Sequence, residues 1–154
     1  MLLVKYLEMI VDLILWRHAE AEDSIPDNAR ILTAKGRKQA EKVAALLRVH
    51  LPEHARILVS PATRTQQTVA ALTKHYTVVP ALAVGASVES VLQAAGWPDA
   101  GGTVLLVGHQ PTLGEVAASL LGCEPLSIKK GALWWFGERD GYAQLRLVIA
   151  PEFL

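Results

Sequence analysis

The sequence predicts a three-layer α/β/α sandwich with a mainly parallel central sheet. Short, nearly continuous apolar runs recur at 11–16, 57–59 and 104–107, as strands covered on both faces require. Segments of helical spacing lie between them, several opened by a capping residue or a proline. Two β-like runs near the C-terminus, joined through Glu138-Arg139-Asp140-Gly141, read as a closing hairpin.

Val11-Asp12-Leu13-Ile14-Leu15-Trp16 is the first strand, and a loop rich in Asp, Asn, Ser and Pro follows from Glu20 to about Arg30. Thr33 then reads as an N-cap, with Ala40, Val43, Ala44 and Leu47 at helical spacing and Pro52 as the stop. After the second strand, Ser60-Pro61 reads as an N-cap with proline at the first helical position. Thr65, Thr68, Val69 and Leu72 form the inward face of that helix. A short third strand is expected at 76–80, and a modest helix at 86–95 ended by Gly96 and Pro98. Val104-Leu105-Leu106-Val107 is the most apolar strand. Pro111 starts the last helix, whose face carries Leu113, Val116, Ala117, Leu120 and Leu121, with Gly122 just past its end. In the hairpin, 132–136 pairs with 143–149, and alternation places one of Trp134 and Trp135 in the core and the other outside.

A chain of 154 residues has room for one domain. Its residues are 51% hydrophobic and 19% charged, which excludes a disordered chain. Fifteen Lys+Arg offset fifteen Asp+Glu, so no global field draws it to nucleic acid or an anionic membrane. No apolar run approaches the roughly 20 residues of a membrane helix. The single cysteine, Cys123, excludes an internal disulfide and fits a reducing, cytoplasmic setting. Residues 1–8 read as an N-terminal extension, with the domain proper at 9–154.

In open α/β sheets, ligands bind beyond the carboxyl ends of the strands. The first strand ends in Arg17-His18, the second leads to Ser60-Pro61-Ala62-Thr63-Arg64, and the fourth ends in Gly108-His109-Gln110-Pro111. Two arginines and two histidines thus converge on one edge, with helix starts nearby to add amide donors and positive dipole ends. Such a pocket fits a phosphate. Arginine forks bind phosphate oxygens in pairs, while a neutral histidine attacks phosphorus and a protonated one donates a hydrogen bond. His18 is the nucleophile candidate. Arg17, Arg64, His109 and Gln110 are the phosphate-binding candidates.

Each of these residues has an ordinary structural reading when taken alone, and only their convergence argues for function. His50 and His54 have the spacing of a helical metal site, but Leu51-Pro52 between them breaks the helix. No metal site is expected.

At this point Leu13-Ile14-Leu15-Trp16-Arg17-His18-Ala19-Glu20-Ala21 resembles the Arg-His-Gly signature of the histidine phosphatase superfamily. It is closest to the short SixA-type branch, the phosphohistidine phosphatases, where alanine often replaces the glycine. Leu32-Thr33-Ala34-Lys35-Gly36-Arg37-Lys38-Gln39-Ala40 resembles the family's first helix start. Val59-Ser60-Pro61-Ala62-Thr63-Arg64-Thr65-Gln66-Gln67-Thr68 resembles its second-arginine motif, and Val107-Gly108-His109-Gln110-Pro111 its second-histidine motif. The resemblance implies a phosphoglycerate mutase-like sandwich and a phosphohistidine intermediate on His18. It further implies a phosphoryl group held by Arg17, Arg64 and His109, with no cofactor or metal.

One departure bears on the substrate. Many superfamily members carry an acid soon after the third strand that protonates the leaving oxygen. Here that stretch reads Pro80-Ala81-Leu82-Ala83-Val84-Gly85-Ala86-Ser87, with no carboxylate before Glu89. An alkoxide needs a proton to leave, whereas protonated phosphohistidine releases neutral imidazole. The expected substrate is therefore a phosphorylated histidine on a phosphotransfer or phosphocarrier protein, which implies a role in signal transduction. Glu20 is the candidate substitute proton donor. The competing readings are a small-molecule phosphomonoesterase of the same superfamily and a non-catalytic phosphate-binding domain.

Overall fold

Strands β1 (Val11–Arg17), β2 (Arg56–Val59), β3 (Thr77–Val78), β4 (Gly102–Gly108), β5 (Leu133–Arg139) and β6 (Tyr142–Ile149) form one sheet in the computed structural model, which describes residues 10–154. The strand order is β3-β2-β4-β1-β5-β6. The first four strands in that order pair in parallel, while β5 and β6 run antiparallel, so the sheet is mixed. Helices α1 (Ala34–His50), α2 (Thr63–Ala70), α3 (Val88–Ala95) and α4 (Thr112–Leu121) cover it. The extension read at 1–8 lies outside the described residues.

The alternation of strand side chains divides the core into two layers. Ile14, Trp16, Leu105, Val107, Leu133 and Trp135 meet Ala40, Val43, Ala44 and Leu47 of α1 and Val69 of α2 on one face. Leu13, Leu15, Val104, Leu106 and Phe136 meet Val91 of α3 and Leu113, Val116 and Ala117 of α4 on the other. This is the expected three-layer sandwich. Burial on both faces explains why β1 and β4 read as continuous apolar runs. None of the described helices is long and apolar enough to cross a membrane.

Local signals set most element ends. Thr33 Oγ1 accepts from Gly36 N at 2.9 Å and caps α1, Ser87 Oγ accepts from Ser90 N at 3.1 Å and caps α3, and Gly96 and Gly122 end α3 and α4 in the left-handed region. Asp140 and Gly141, both at positive φ, make the tight turn between β5 and β6.

Three expectations need correction. Helix α2 begins at Thr63 with Ala62 as its cap, not at Ser60-Pro61, and the Ser60 hydroxyl bonds both the Ala62 amide, at 3.3 Å, and His109. It ends at Ala70, which leaves Leu72 beyond the helix. The third strand shrinks to Thr77–Val78, since Pro80 turns the chain into a 3-10 turn (Pro80–Leu82). Trp134 and Trp135 do occupy opposite faces, but neither is outside. Trp135 is buried beneath α1, and Trp134 is half-buried, stacking on Phe136 at 6.4 Å between ring centroids.

Candidate active site

Because β4 lies between β1 and β2, the ends of all three strands meet. Register pairs Arg17 with Gly108, and one step further the His18 amide donates to the Gly108 carbonyl at 3.1 Å. On the other flank the Ser60 amide donates to the Val107 carbonyl at 3.1 Å. His109 therefore stands between His18 and Ser60. The two imidazole centroids lie 5.4 Å apart with a 54° interplanar angle.

His18 is buried, and its Nδ1 lies 2.8 Å from the Ala19 carbonyl. A carbonyl can only accept, so Nδ1 carries the proton and Nε2 keeps a free lone pair. Burial pushes the His18 pKa from the ordinary 6.5 down to about 3, helped by the charges of His109, Arg64 and Arg17 and opposed by the Ala19 bond. The ring is thus neutral near pH 7 and presents a bare nitrogen. The loop behind it is fixed from α1 and α2. Ala19 N donates to Thr68 Oγ1 at 3.0 Å and Glu20 N to Gln39 Oε1 at 2.9 Å. At Gly36 an added Cβ would stand 2.0 Å from the Glu20 carbonyl oxygen, so only glycine lets α1 approach this closely.

His109 Nε2 lies 2.7 Å from Ser60 Oγ, while its buried Nδ1 has no partner among the described residues. Burial, followed by the charge of Arg64, lowers its pKa to about 4. Near pH 7 the ring is therefore neutral. With the Ser60 hydroxyl donating to Nε2, the Nδ1–H is the free donor.

The arginines complete the cluster. Arg17 Nη1 donates to the Ile128 carbonyl at 2.7 Å, and burial and the nearby Arg64 both lower its pKa. Arg64 is 4% exposed, and it donates from Nη1 to the Asp27 carbonyl at 2.8 Å and from Nη2 to Asp27 Oδ2 at 3.1 Å. The buried Nε of each arginine has no partner among the described residues. Buried polar groups rarely go unsatisfied, and among the described side chains the three that do, Arg17 Nε, Arg64 Nε and His109 Nδ1, all belong to this cluster. Such an arrangement is suited to a group with several acceptor oxygens.

The structure thus brings Arg17, His18, Arg64 and His109 together and leaves two other candidates engaged elsewhere. Gln110 Oε1 accepts from Gly114 N at 2.7 Å and its Nε2 donates to the Leu126 carbonyl at 3.0 Å. That side chain ties the first turn of α4 to the following loop rather than facing the phosphate site. Glu20 accepts from Thr33 Oγ1 at 3.0 Å and pairs with Lys35 at 3.6 Å, so its carboxylate is committed to the start of α1. Ser60 and Asp27 also touch the cluster, although the sequence marks Ser60 only as a helix cap and does not mark Asp27. A loop carboxylate carries no periodicity that could have marked it. Among the described residues, no three His, Cys, Asp or Glu gather as metal ligands.

A family model described as histidine phosphatase superfamily (branch 1) matches residues 13–84. Among solved structures, a protein from Nakamurella multipartitia assigned as a phosphohistidine phosphatase SixA is 30% identical, with a TM-score of 0.76 over 92% of this chain and 96% of that one. The chain belongs to the histidine phosphatase superfamily. The protein histidine phosphatase SixA solved with tungstate is 25% identical to this superfamily member, with a TM-score of 0.81 over 92% of this chain and 98% of that one. The α-ribazole phosphatase of Shigella flexneri shares the fold at 18% identity, with a TM-score of 0.74 over 91% of this chain and 96% of that one. No match was found among curated proteins.

Proposed function

We propose that this histidine phosphatase hydrolyses phosphohistidine on a partner protein of the phosphotransfer or phosphocarrier kind. The observation that carries the reading is the chemistry of the 80–87 segment. It folds as a 3-10 turn and loop and brings no carboxylate to protonate a leaving oxygen. Phosphohistidine does not need one. The names of the relatives at 25% and 30% identity support the same substrate class.

In this reading His18 Nε2 attacks phosphorus while the substrate's P–N bond breaks. The electron pair of that bond stays on the departing ring, which leaves as neutral imidazole because its other nitrogen already carries a proton. Arg17, Arg64 and the His109 Nδ1–H hold the phosphoryl oxygens as charge shifts onto them. Water then attacks the phosphorus on His18 and keeps its protons with the released phosphate, and His18 returns to its starting form.

The test compares phosphate release from a histidine-phosphorylated carrier protein, a sugar phosphate and p-nitrophenyl phosphate. The phosphoprotein should be preferred over the sugar phosphate, with the aryl ester between them. His18→Ala should yield no acid-labile phosphoenzyme. Hydrolysis of the sugar phosphate at least as efficiently as the phosphoprotein overturns the reading.

A further inference from the structure

We propose that the Asp27 carboxylate receives the leaving imidazole of the substrate, accepting a hydrogen bond from its protonated ring nitrogen, and so selects phosphoramidates over esters. The inference rests on the reading of the substrate given above and adds a specificity residue to it.

Among the described residues, Asp27 is the one carboxylate bonded to any of Arg17, His18, Arg64 and His109. It lies in a 3-10 turn (Asp27–Ala29) on the loop that follows β1. The Arg64 side chain is 4% exposed and the Asp27 side chain 54%, so Asp27 lies on the solvent side of a buried site arginine. There the carboxylate can reach a part of the substrate that remains outside the phosphoryl site on the Arg64 flank.

The carboxylate has capacity to spare. A carboxylate offers about four lone-pair directions. Arg64 Nη2 uses one at Oδ2, and Arg30 Nη1 uses one at Oδ1, 3.2 Å away. Its charge reaches the site, since it opposes the lowering of the His109 pKa. The Arg64 hydrogen bond, followed by that of Arg30 and the charges of both, outweighs desolvation and holds the Asp27 carboxyl below its ordinary range. A carboxylate kept ionised is a poor proton donor to an alkoxide. It is a good acceptor for an imidazolium N–H, and it favours the protonated ring whose departure as neutral imidazole needs no further proton.

The experiment uses free phosphohistidine, N-phosphoimidazole and p-nitrophenyl phosphate with wild-type protein, Asp27→Asn and Asp27→Glu. Asparagine still offers an oxygen to Arg64, and the Asp27 backbone carbonyl bond to Arg64 is untouched, so the arginine keeps its place. Asp27→Asn should lower kcat/KM for the two phosphoramidates about ten- to hundredfold, the size of one charge-assisted hydrogen bond. The aryl ester, whose phenolate leaves as an anion, should lose far less than the phosphoramidates or gain. Asp27→Glu should recover part of the phosphoramidate activity. Equal loss on all three substrates would make Asp27 a positioning residue for Arg64 and overturn the proposal. A gain on all three with tighter vanadate binding would make it a competitor for the anion site, which also overturns it. If the wild type prefers the two phosphoramidates to the aryl ester and Asp27→Asn leaves that preference intact, this inference falls while the proposed function stands. A wild type with no such preference removes both.

Discussion

Ser60 Oγ sits 2.7 Å from Nε2 of His109, with both side chains buried. The pair joins the end of β2 to the end of β4 and engages Nε2 of His109, while its buried Nδ1 has no partner among the described residues. A hydroxyl read from sequence as a helix cap is therefore part of the phosphoryl-binding apparatus.

Ser60→Ala should leave His109 Nε2 buried without a partner. The cost is about 1–3 kcal/mol of stability, measurable by urea denaturation. The same variant should lose catalytic rate more than it loses fold, because the ring is no longer held with Nδ1–H outward. Restored activity in Ser60→Thr, which keeps the hydroxyl, would tie the loss to that bond.

Anion binding should depend on Arg64. Vanadate or phosphate should raise the melting temperature of the wild type by mass action, and this shift should vanish in Arg64→Ala. Arg64→Lys should recover little of it, since one ammonium cannot replace the fork that reaches Asp27 with two nitrogens and leaves Nε free.

Stability should fall on the acid side of neutrality. Burial holds His18 at about 3 and His109 at about 4, below the 6.5 of the unfolded chain. Between those values the unfolded state binds more protons, so stability is full above pH 6.5 and is lost as pH falls toward 4 and 3. The slope is up to about 1.4 kcal/mol per pH unit for each histidine. Denaturation midpoints at pH 8, 6.5 and 5 should show it, and His18→Asn should flatten the profile.

Gly36→Ala should destabilise the protein and impair catalysis together. The new Cβ would meet the Glu20 backbone 2.0 Å away, and that backbone cannot yield without moving the loop that follows His18. A loss of several kcal/mol is typical of such a clash. A thermally normal, fully active variant would show that α1 can withdraw freely.

Activity should survive EDTA, because two arginines already supply the positive charge that a metal would bring to the phosphoryl group. Loss with chelator and recovery with a divalent ion would overturn this.

Much of the architecture was legible in the chain because it depends on local chemistry. Apolar runs long enough for strands, the Thr33 cap, the glycines after α3 and α4, and Asp140-Gly141 each act over a few residues. The ends of strands then marked Arg17, His18, Arg64 and His109, because parallel sheets put ligands beyond those ends. Tertiary structure decided the rest. Only the order β2-β4-β1 sets His109 between Ser60 and His18, and strand order depends on pairing across long sequence separations. The commitment of Gln110 to α4, of Glu20 to α1 and of Asp27 to Arg64 was equally invisible. A polar side chain's partner is chosen by whichever groups burial brings within about 3 Å, and no periodicity in the sequence records that choice.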